Sequence, residues 1–212
     1  MLKAEYKGFQ CVDGSTLHYF VARPEDFEPH EVLPGVFVLP PGSQTRDRTE
    51  AALEVVMEKL GGHRCCVFSP VAPEGVLFCE GSERYLPDFL EYVLKEYAVE
   101  GGTLSLFGVE NGGISAFRIG CMEPGLFHSL TVMPGCPRDQ DLTRLSDLRD
   151  LPVWLYAGAN DRQWVERGRF ALRALQQAGV NAKLEVVPDE DHDILSDFDE
   201  FRLRGLLLIK FT

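Results

Sequence analysis

The sequence predicts an α/β protein, built on a doubly wound, mostly parallel sheet that opens with an antiparallel N-terminal hairpin and has no cap domain. Short, continuously apolar runs alternate with segments whose apolar residues recur at helical spacing. Two β-rich segments near the start are joined through an Asp-Gly pair, which is typical of a hairpin turn. Glycine or polar residues follow several of the apolar runs. These positions would lie just beyond the carboxyl ends of the strands, which is where ligands bind in such sheets.

The N-terminal hairpin is predicted from residues 2–11 and 16–22, which Val12-Asp13-Gly14-Ser15 connects. Residues 23–34 hold three prolines among acidic residues, so they predict a surface connection. The apolar run 36–39 is bounded by prolines and predicts a strand that is buried on both faces of a parallel sheet.

The later segments alternate between strand and helix, and glycines end several of the helices. Residues 70–85 predict irregular structure, and residues 135–151 predict a loop with one helical turn. The other predicted elements are a helix over 51–60, strands 65–68 and 104–107, a helix over 89–97, a helix from the turn after residue 107 to about Met122, strands 129–132, 153–157 and 184–187, a helix over 165–175 and a final helix over 198–210.

Length and composition limit the classes of function. A chain of 212 residues with 45% apolar content predicts a single domain over 1–212. A net charge of -12 argues against nucleic acid or an anionic membrane as partner. Six cysteines without a C-x-x-C pair predict reduced thiols, and the N-terminus lacks a signal-peptide core, so the expected location is cytoplasmic. We expect no cofactor and no metal, and the oligomeric state is not predicted.

A sharp strand-to-helix turn is predicted at Gly108-Val109-Glu110-Asn111-Gly112. In the G-x-S-x-G motif the nucleophile sits on a strained turn, and glycines two residues before and after it are a steric requirement. Gly108 and Gly112 meet this requirement, but Glu110 stands where the motif has serine.

Four residues follow four different predicted strands: Gly42, Glu110, Asp161 and His192. Because the carboxyl ends of parallel strands meet at one edge of the sheet, we expect these residues to converge there. The chain order of turn, acid and histidine is that of the α/β-hydrolases.

The chain resembles the α/β-hydrolase superfamily, and within it the small esterases related to feruloyl esterases, polyhydroxybutyrate depolymerases and phospholipases/carboxylesterases. The segments 152–161, 174–179 and 188–193 carry the resemblance together with the turn. The resemblance implies that Asp161 is the acid and His192 the base of a triad, with Glu110 at the nucleophile position. It also implies that the loop at Gly42 and the amide of Asn111 form the oxyanion hole.

Two departures from the family pattern predict lost ester hydrolysis. Pro40-Pro41 replaces the His-Gly pair of the family and removes two backbone donors. A carboxylate at position 110 has no proton to give, and together with Asp161 it should hold His192 as an imidazolium in a buried ion network. The first hypothesis is therefore a non-catalytic member of this fold that binds a small ligand or a protein in the old cleft.

Other interpretations remain open. Glu110 is the nucleophile in a second hypothesis, as aspartate is in haloalkane dehalogenases and epoxide hydrolases of related fold. Asp161 and His192 also fit a solvated surface turn, and with Glu110 they fit a metal-binding triad less well. Trp164 and Phe78 fit a pocket lining or, in our preferred interpretation, the core. Weak alternative nucleophiles are Ser43, Ser115 and Cys136.

Overall fold

The computed structural model describes residues 1–28 and 30–209, which form one eight-stranded sheet flanked by helices. The strands are β1 Leu2–Gln10, β2 Thr16–Pro24, β3 Leu33–Leu39, β4 Cys66–Pro70, β5 Val99–Gly108, β6 Phe127–Val132, β7 Val153–Gly158 and β8 Ala182–Val187. The helices are α1 Arg46–Leu60, α2 Leu86–Glu96, α3 Asn111–Met122, α4 Arg162–Gln177, α5 Ile194–Asp197 and α6 Glu200–Leu208.

The strand order across the sheet is β1-β2-β4-β3-β5-β6-β7-β8. β2 runs antiparallel to both β1 and β4, and all other neighbours are parallel. The structure therefore confirms the predicted fold class, including the N-terminal hairpin. Residues 133–152, which join β6 to β7, hold a short helix in place of a cap domain.

The sheet separates two apolar cores. Neighbouring residues of β3 enter opposite cores: Phe37 packs on the side of α2, α3 and α4, while Val36 and Val38 pack on the side of α1 and α6. This follows from the two-residue period of a strand. The continuous apolar run of β3 thus marks a strand that is covered on both faces, as predicted.

The largest difference from the sequence prediction lies in residues 135–151. Asp139–Leu148 forms a ten-residue 3-10 helix where we expected a loop with one turn. Leu142, Leu145 and Leu148 recur every three residues, which is the 3-10 period, and the last two are buried. Packing of these leucines on the apolar core stabilises a 3-10 helix, and the α-helical spacing of apolar residues does not predict one.

The boundaries of β3 and of the C-terminal helices also differ from the sequence prediction. β3 begins at Leu33, inside the segment predicted as a surface connection, and residue 29 of that segment lies outside the described residues. Asp199 caps α6 by accepting the Arg202 N–H at 2.8 Å, so α6 starts close to the predicted position. The short α5 was not predicted, and residue 210 of the predicted final helix lies outside the described residues.

Within residues 1–28 and 30–209, each helix is too short or too polar to cross a membrane.

Candidate functional site

The predicted site residues lie beyond the carboxyl ends of four strands. Gly42 follows β3, Glu110 follows β5, Asp161 follows β7 and His192 follows β8. β3 and β5 are adjacent, as are β7 and β8, and β6 lies between the two pairs. The side chains and loops at this edge form two hydrogen-bonded groups, one on each pair of strands.

A tight turn joins β5 to α3, and it has the shape that the glycine pattern predicts. Glu110 has φ 55° and ψ -113°, a conformation that side chains rarely adopt. A Cβ on Gly108 would collide with Gly112 O, and a Cβ on Gly112 would collide with Leu39 O. Glycine is therefore required at both positions, because α3 starts directly against the ends of β5 and β3.

The side chain of Glu110 reaches back to the loop after β3. Its Oε2 accepts a hydrogen bond from the Gly42 N–H at 2.7 Å. The neighbouring Asn111 donates from Nδ2 to Gly42 O at 3.0 Å. Two consecutive side chains of the turn thus hold the backbone of Gly42 at both its N–H and its carbonyl.

Asp161 and His192 form the second group. Asp161 Oδ2 lies 2.7 Å from His192 Nδ1, and Oδ1 accepts the Trp164 N–H at 3.2 Å as the N-cap of α4. The loops of the two residues are also joined, since Asn160 donates its N–H to Glu190 O at 2.9 Å. The Trp164 ring centre lies 6.1 Å from that of His192.

The predicted buried ion network of Glu110, His192 and Asp161 is not found. Among the described residues, no hydrogen bond or ion pair joins Glu110 to His192, and the carboxylate binds Gly42 instead. The His192 side chain is also 50% exposed, whereas that of Asp161 is 18% exposed. The sequence missed this because it assigns a residue to a turn but does not determine where a flexible side chain points.

Gln44 supports the same loop, and sequence reasoning did not single it out. It is fully buried with φ 54°, and its Nε2 donates to Pro40 O and to Ser115 Oγ, each at 3.2 Å. Its Oε1 accepts the Phe78 N–H at 2.9 Å. One amide therefore links the loop after β3 to α3 and to the loop after β4. A glutamine next to prolines and glycine carries no signal that would have revealed this.

The alternative candidates have structural roles or are poorly activated. Ser115 donates to Asn111 O at 2.9 Å within α3, and Ser43 lies 3.5 Å from Thr45 through their hydroxyls on an exposed loop. Burial raises the pKa of the Cys136 thiol, which disfavours the thiolate that a nucleophile needs. Phe78 and Trp164 are buried, as preferred from the sequence. Residues 1–28 and 30–209 contain no group of three His, Cys, Asp or Glu that could hold a metal ion.

Comparison with known proteins relates this architecture to hydrolases of solved structure. No protein-family model matches the sequence. The search of curated proteins gave no match either. A thermostable esterase is 18% identical with a TM-score of 0.70, over 88% of this chain and 55% of its own length, so the chain spans little more than half of that enzyme. A ferulic acid esterase is 19% identical over 96% of this chain and 99% of its own, with a TM-score of 0.70.

Dienelactone hydrolase from Anabaena variabilis is 15% identical over 98% of this chain and 99% of its own, with a TM-score of 0.75. These structures share the α/β-hydrolase fold with the chain. At such identities the similarity concerns the fold and does not by itself assign an activity.

Proposed function

We propose that this chain is an α/β-hydrolase-like scaffold that does not hydrolyse esters and that binds a small molecule or a protein partner in the cleft at the strand ends. The observation that carries the proposal is the 2.7 Å hydrogen bond from the Gly42 N–H to Glu110 Oε2. In this proposal Glu110 occupies the position of a serine nucleophile and its carboxylate occupies the oxyanion hole.

The carboxylate of Glu110 opposes the charge that ester hydrolysis would develop at this site. Ester hydrolysis builds negative charge on the carbonyl oxygen, and backbone N–H groups must be free to bind it. Here the Gly42 N–H already binds a carboxylate oxygen, in a charge-assisted hydrogen bond that is stronger than a neutral one. Loss of one such donor costs about a hundredfold to a thousandfold in rate. A second anion at the same place would also be repelled by Glu110.

The Asp161–His192 dyad has no proton to remove from residue 110. Asp161 and His192 keep the contact that orients the imidazole, so the dyad itself has the geometry of a general base. A carboxylate at position 110 offers no hydroxyl proton for this base to remove. The dyad then has no nucleophile to activate at the turn between β5 and α3.

The surroundings of His192 support a binding role for the strand-end cleft. The His192 side chain is half exposed and binds Asp161 through Nδ1, and among the described residues no hydrogen bond is made by its Nε2. The indole of Trp164 packs beside it. A polar group next to an aromatic wall is a common feature of ligand sites, and this supports a binding role for the cleft.

The decisive experiment is an activity test on the purified chain. We expect no turnover of p-nitrophenyl acetate above the rate of a His192→Ala control, and no labelling by a fluorophosphonate probe. A covalent adduct on any serine, located by mass spectrometry, or hydrolysis that is lost in the His192→Ala control, would refute the proposal.

A second candidate function is supported by the same hydrogen bond. A carboxylate nucleophile attacks with one oxygen while its other oxygen, the carbonyl of the ester intermediate, needs an oxyanion-hole donor. Glu110 Oε2 has such a donor, and no described residue donates to Oε1. Oε1 would attack a carbon that bears a halide, and the halide would leave with the bonding electron pair. Water deprotonated by His192 would then attack Cδ, releasing the alcohol and restoring the carboxylate.

This candidate has its own test. Halide release from a short bromoalkane, together with an alkyl ester on Glu110 that accumulates in the His192→Ala variant, would establish it. We place it second because glutamate is one methylene longer than the aspartate of such enzymes, and a misplacement of about 1 Å can cost a hundredfold in rate.

A further inference from the structure

The last strand of the sheet, β8, has an open backbone edge. β7 lies on one side of β8, and within residues 1–28 and 30–209 no strand lies on the other side. β8 pairs with β7 along its whole length without a register shift, and no proline interrupts Ala182–Val187. Native sheets often protect such an edge with a proline or a bulge, because an open edge can pair with another chain. β8 has neither device.

The open edge is formed by the backbone of three apolar residues. At the start of β8, Asn181 O accepts the Val153 N–H at 2.9 Å, so this carbonyl points to β7. Backbone groups of successive residues point to opposite sides of a strand. The residues whose N–H and C=O point away from β7 are therefore Ala182, Leu184 and Val186. Among the described residues, no side chain forms a hydrogen bond with these backbone groups.

The charges of β8 match those of a second β8 that runs antiparallel to it. Lys183 and Glu185 flank Leu184 and lie on the same face of the sheet, because side chains alternate along a strand. With a twofold axis at Leu184, Lys183 of each copy would lie opposite Glu185 of the other. Ala182 would lie opposite Val186. The two Leu184 residues would exchange both backbone hydrogen bonds, which places the charged pairs where opposite side chains are closest.

The charges also select this register over its neighbours. An axis at Lys183 would place two lysines opposite each other, and an axis at Glu185 would place two glutamates there, which is destabilising. Lys183 is exposed and forms no ion pair with another described residue. Glu185 binds Arg202 through Oε2 at 2.5 Å, and no described residue binds its Oε1. Both charged groups can therefore bind a second chain.

The other edge strand, β1, lacks this combination. Its Glu5 already forms ion pairs with Lys7 at 3.3 Å and with Arg23 at 3.1 Å. Lys7 thus has its partner within its own strand, whereas Lys183 of β8 has none among the described residues. The self-complementary edge of the sheet is the one at β8.

We propose that two copies of this chain associate through β8, antiparallel and with the twofold axis at Leu184, so that their sheets join into one continuous sheet. The partner is a second copy because the strand is complementary to itself in backbone groups and in charge. This interface does not involve the contact between Glu110 and Gly42, and it goes beyond the function proposed above.

Charge reversals across the axis test the proposal. In analytical ultracentrifugation at micromolar concentration, the parent chain should sediment at twice the mass of one chain. Lys183→Glu and Glu185→Lys should each raise the dissociation constant of the dimer at least about tenfold, because each creates two like-charge pairs. An equimolar mixture of the two variants should dimerise at least about tenfold more tightly than either variant alone, since each glutamate then faces a lysine. Urea unfolding checks that both variants fold.

Amide hydrogen exchange distinguishes strand pairing from contact at another surface. The N–H groups of Leu184 and Val186 face the open edge, so they should exchange slowly in the parent dimer and rapidly in the Lys183→Glu monomer. The Glu185 N–H points to β7 and should exchange slowly in both.

Lys3→Glu on β1 is the matched control at the other edge of the sheet, because Lys3 is also exposed. It should leave the dimer unchanged. The proposal is overturned if the parent is monomeric, if either reversal on β8 dimerises like the parent, or if the mixture does not recover the dimer. It is also overturned if Lys3→Glu weakens the dimer as much as Lys183→Glu does, or if the Leu184 N–H exchanges rapidly in the parent dimer.

Discussion

Glu110 combines a costly backbone conformation with a favourable side-chain contact. A non-glycine residue at its φ of 55° and ψ of -113° is expected to cost about 1–3 kcal/mol. A hydrogen bond to a charged group contributes about 1.5–3 kcal/mol, and Glu110 makes one with the Gly42 N–H. Because these magnitudes are similar, the contact with Gly42 offsets the strain of the turn.

Separate replacements distinguish the strain from the contact. Glu110→Ala and Glu110→Gly both remove the hydrogen bond to Gly42, but glycine adopts positive φ without steric cost. We expect the glycine variant to be about 1 kcal/mol more stable than the alanine variant in urea unfolding. Equal stability, or a more stable alanine variant, would show that the turn is not strained.

Replacement of Glu110 by serine tests the proposed function at the same residue. Glu110→Ser frees the Gly42 N–H and places a hydroxyl at the turn, where the Asp161–His192 dyad can act as base. We expect weak fluorophosphonate labelling and a small acyl-enzyme burst. Both should disappear when Asp161→Asn or His192→Ala is added.

The matched control for this gain is Glu110→Gln, which keeps the shape of the side chain without its charge or a nucleophilic hydroxyl. It should remain unlabelled. Labelling of the glutamine variant, or labelling of the serine variant that survives the loss of His192, would place the reactive group elsewhere.

The loop after β3 depends on Gln44 for its shape. Without this side chain, the Phe78 N–H and the Pro40 carbonyl would be buried without partners. Each such group costs about 1–3 kcal/mol. We therefore expect Gln44→Ala to lower the free energy of unfolding by about 3 kcal/mol, and to speed hydrogen exchange at Gly42.

Gln163→Ala, at an exposed position of α4, provides the matched control for this loop prediction. It should change stability by less than about 0.5 kcal/mol. If Gln44→Ala has an equally small effect, water replaces the amide and the loop does not depend on Gln44.

The sequence predicted which strand or turn carries each candidate site residue, but it did not predict the side-chain contacts of these residues. Glycine spacing predicted the turn around Glu110, because a Cβ at Gly108 or Gly112 would meet backbone atoms of neighbouring elements. The strand-end positions of Asp161 and His192 follow from the alternation of strands and helices. The roles of Asn111 and Gln44 as clamps of the loop depend on side-chain directions, which periodicity does not contain.

Buried thiols affect the stability of the whole molecule at alkaline pH. Burial raises the pKa of Cys65 and of Cys121 to about 12, and that of Cys66 to about 11, from an ordinary value of 9.0. Burial also raises the pKa of Tyr19. A raised pKa in the folded state means that this contribution to stability is complete below the unfolded value and is lost as pH rises through the folded one.

We therefore expect the free energy of unfolding to fall between pH 9 and about pH 11, by up to about 1.4 kcal/mol per pH unit for each buried thiol. Urea unfolding across this range measures the slope. Cys121→Ala should reduce the slope of the free energy of unfolding with pH by the contribution of one buried thiol. Cys11→Ala, at a partly exposed position, serves as the control. A slope that Cys121→Ala leaves unchanged would contradict the assignment.

The sequence by itself determined the fold class, the hairpin, the order of strands and helices, and the identity of the residues at the strand ends. These follow from local patterns, since the period of apolar residues and the positions of glycine act over a few residues. The tertiary structure alone decided that Glu110 binds Gly42 while His192 binds Asp161, with no hydrogen bond or ion pair between Glu110 and His192 among the described residues, and that residues 139–148 are helical. Those features depend on contacts between residues far apart in the chain, and a flexible side chain takes the partner that the folded neighbours offer.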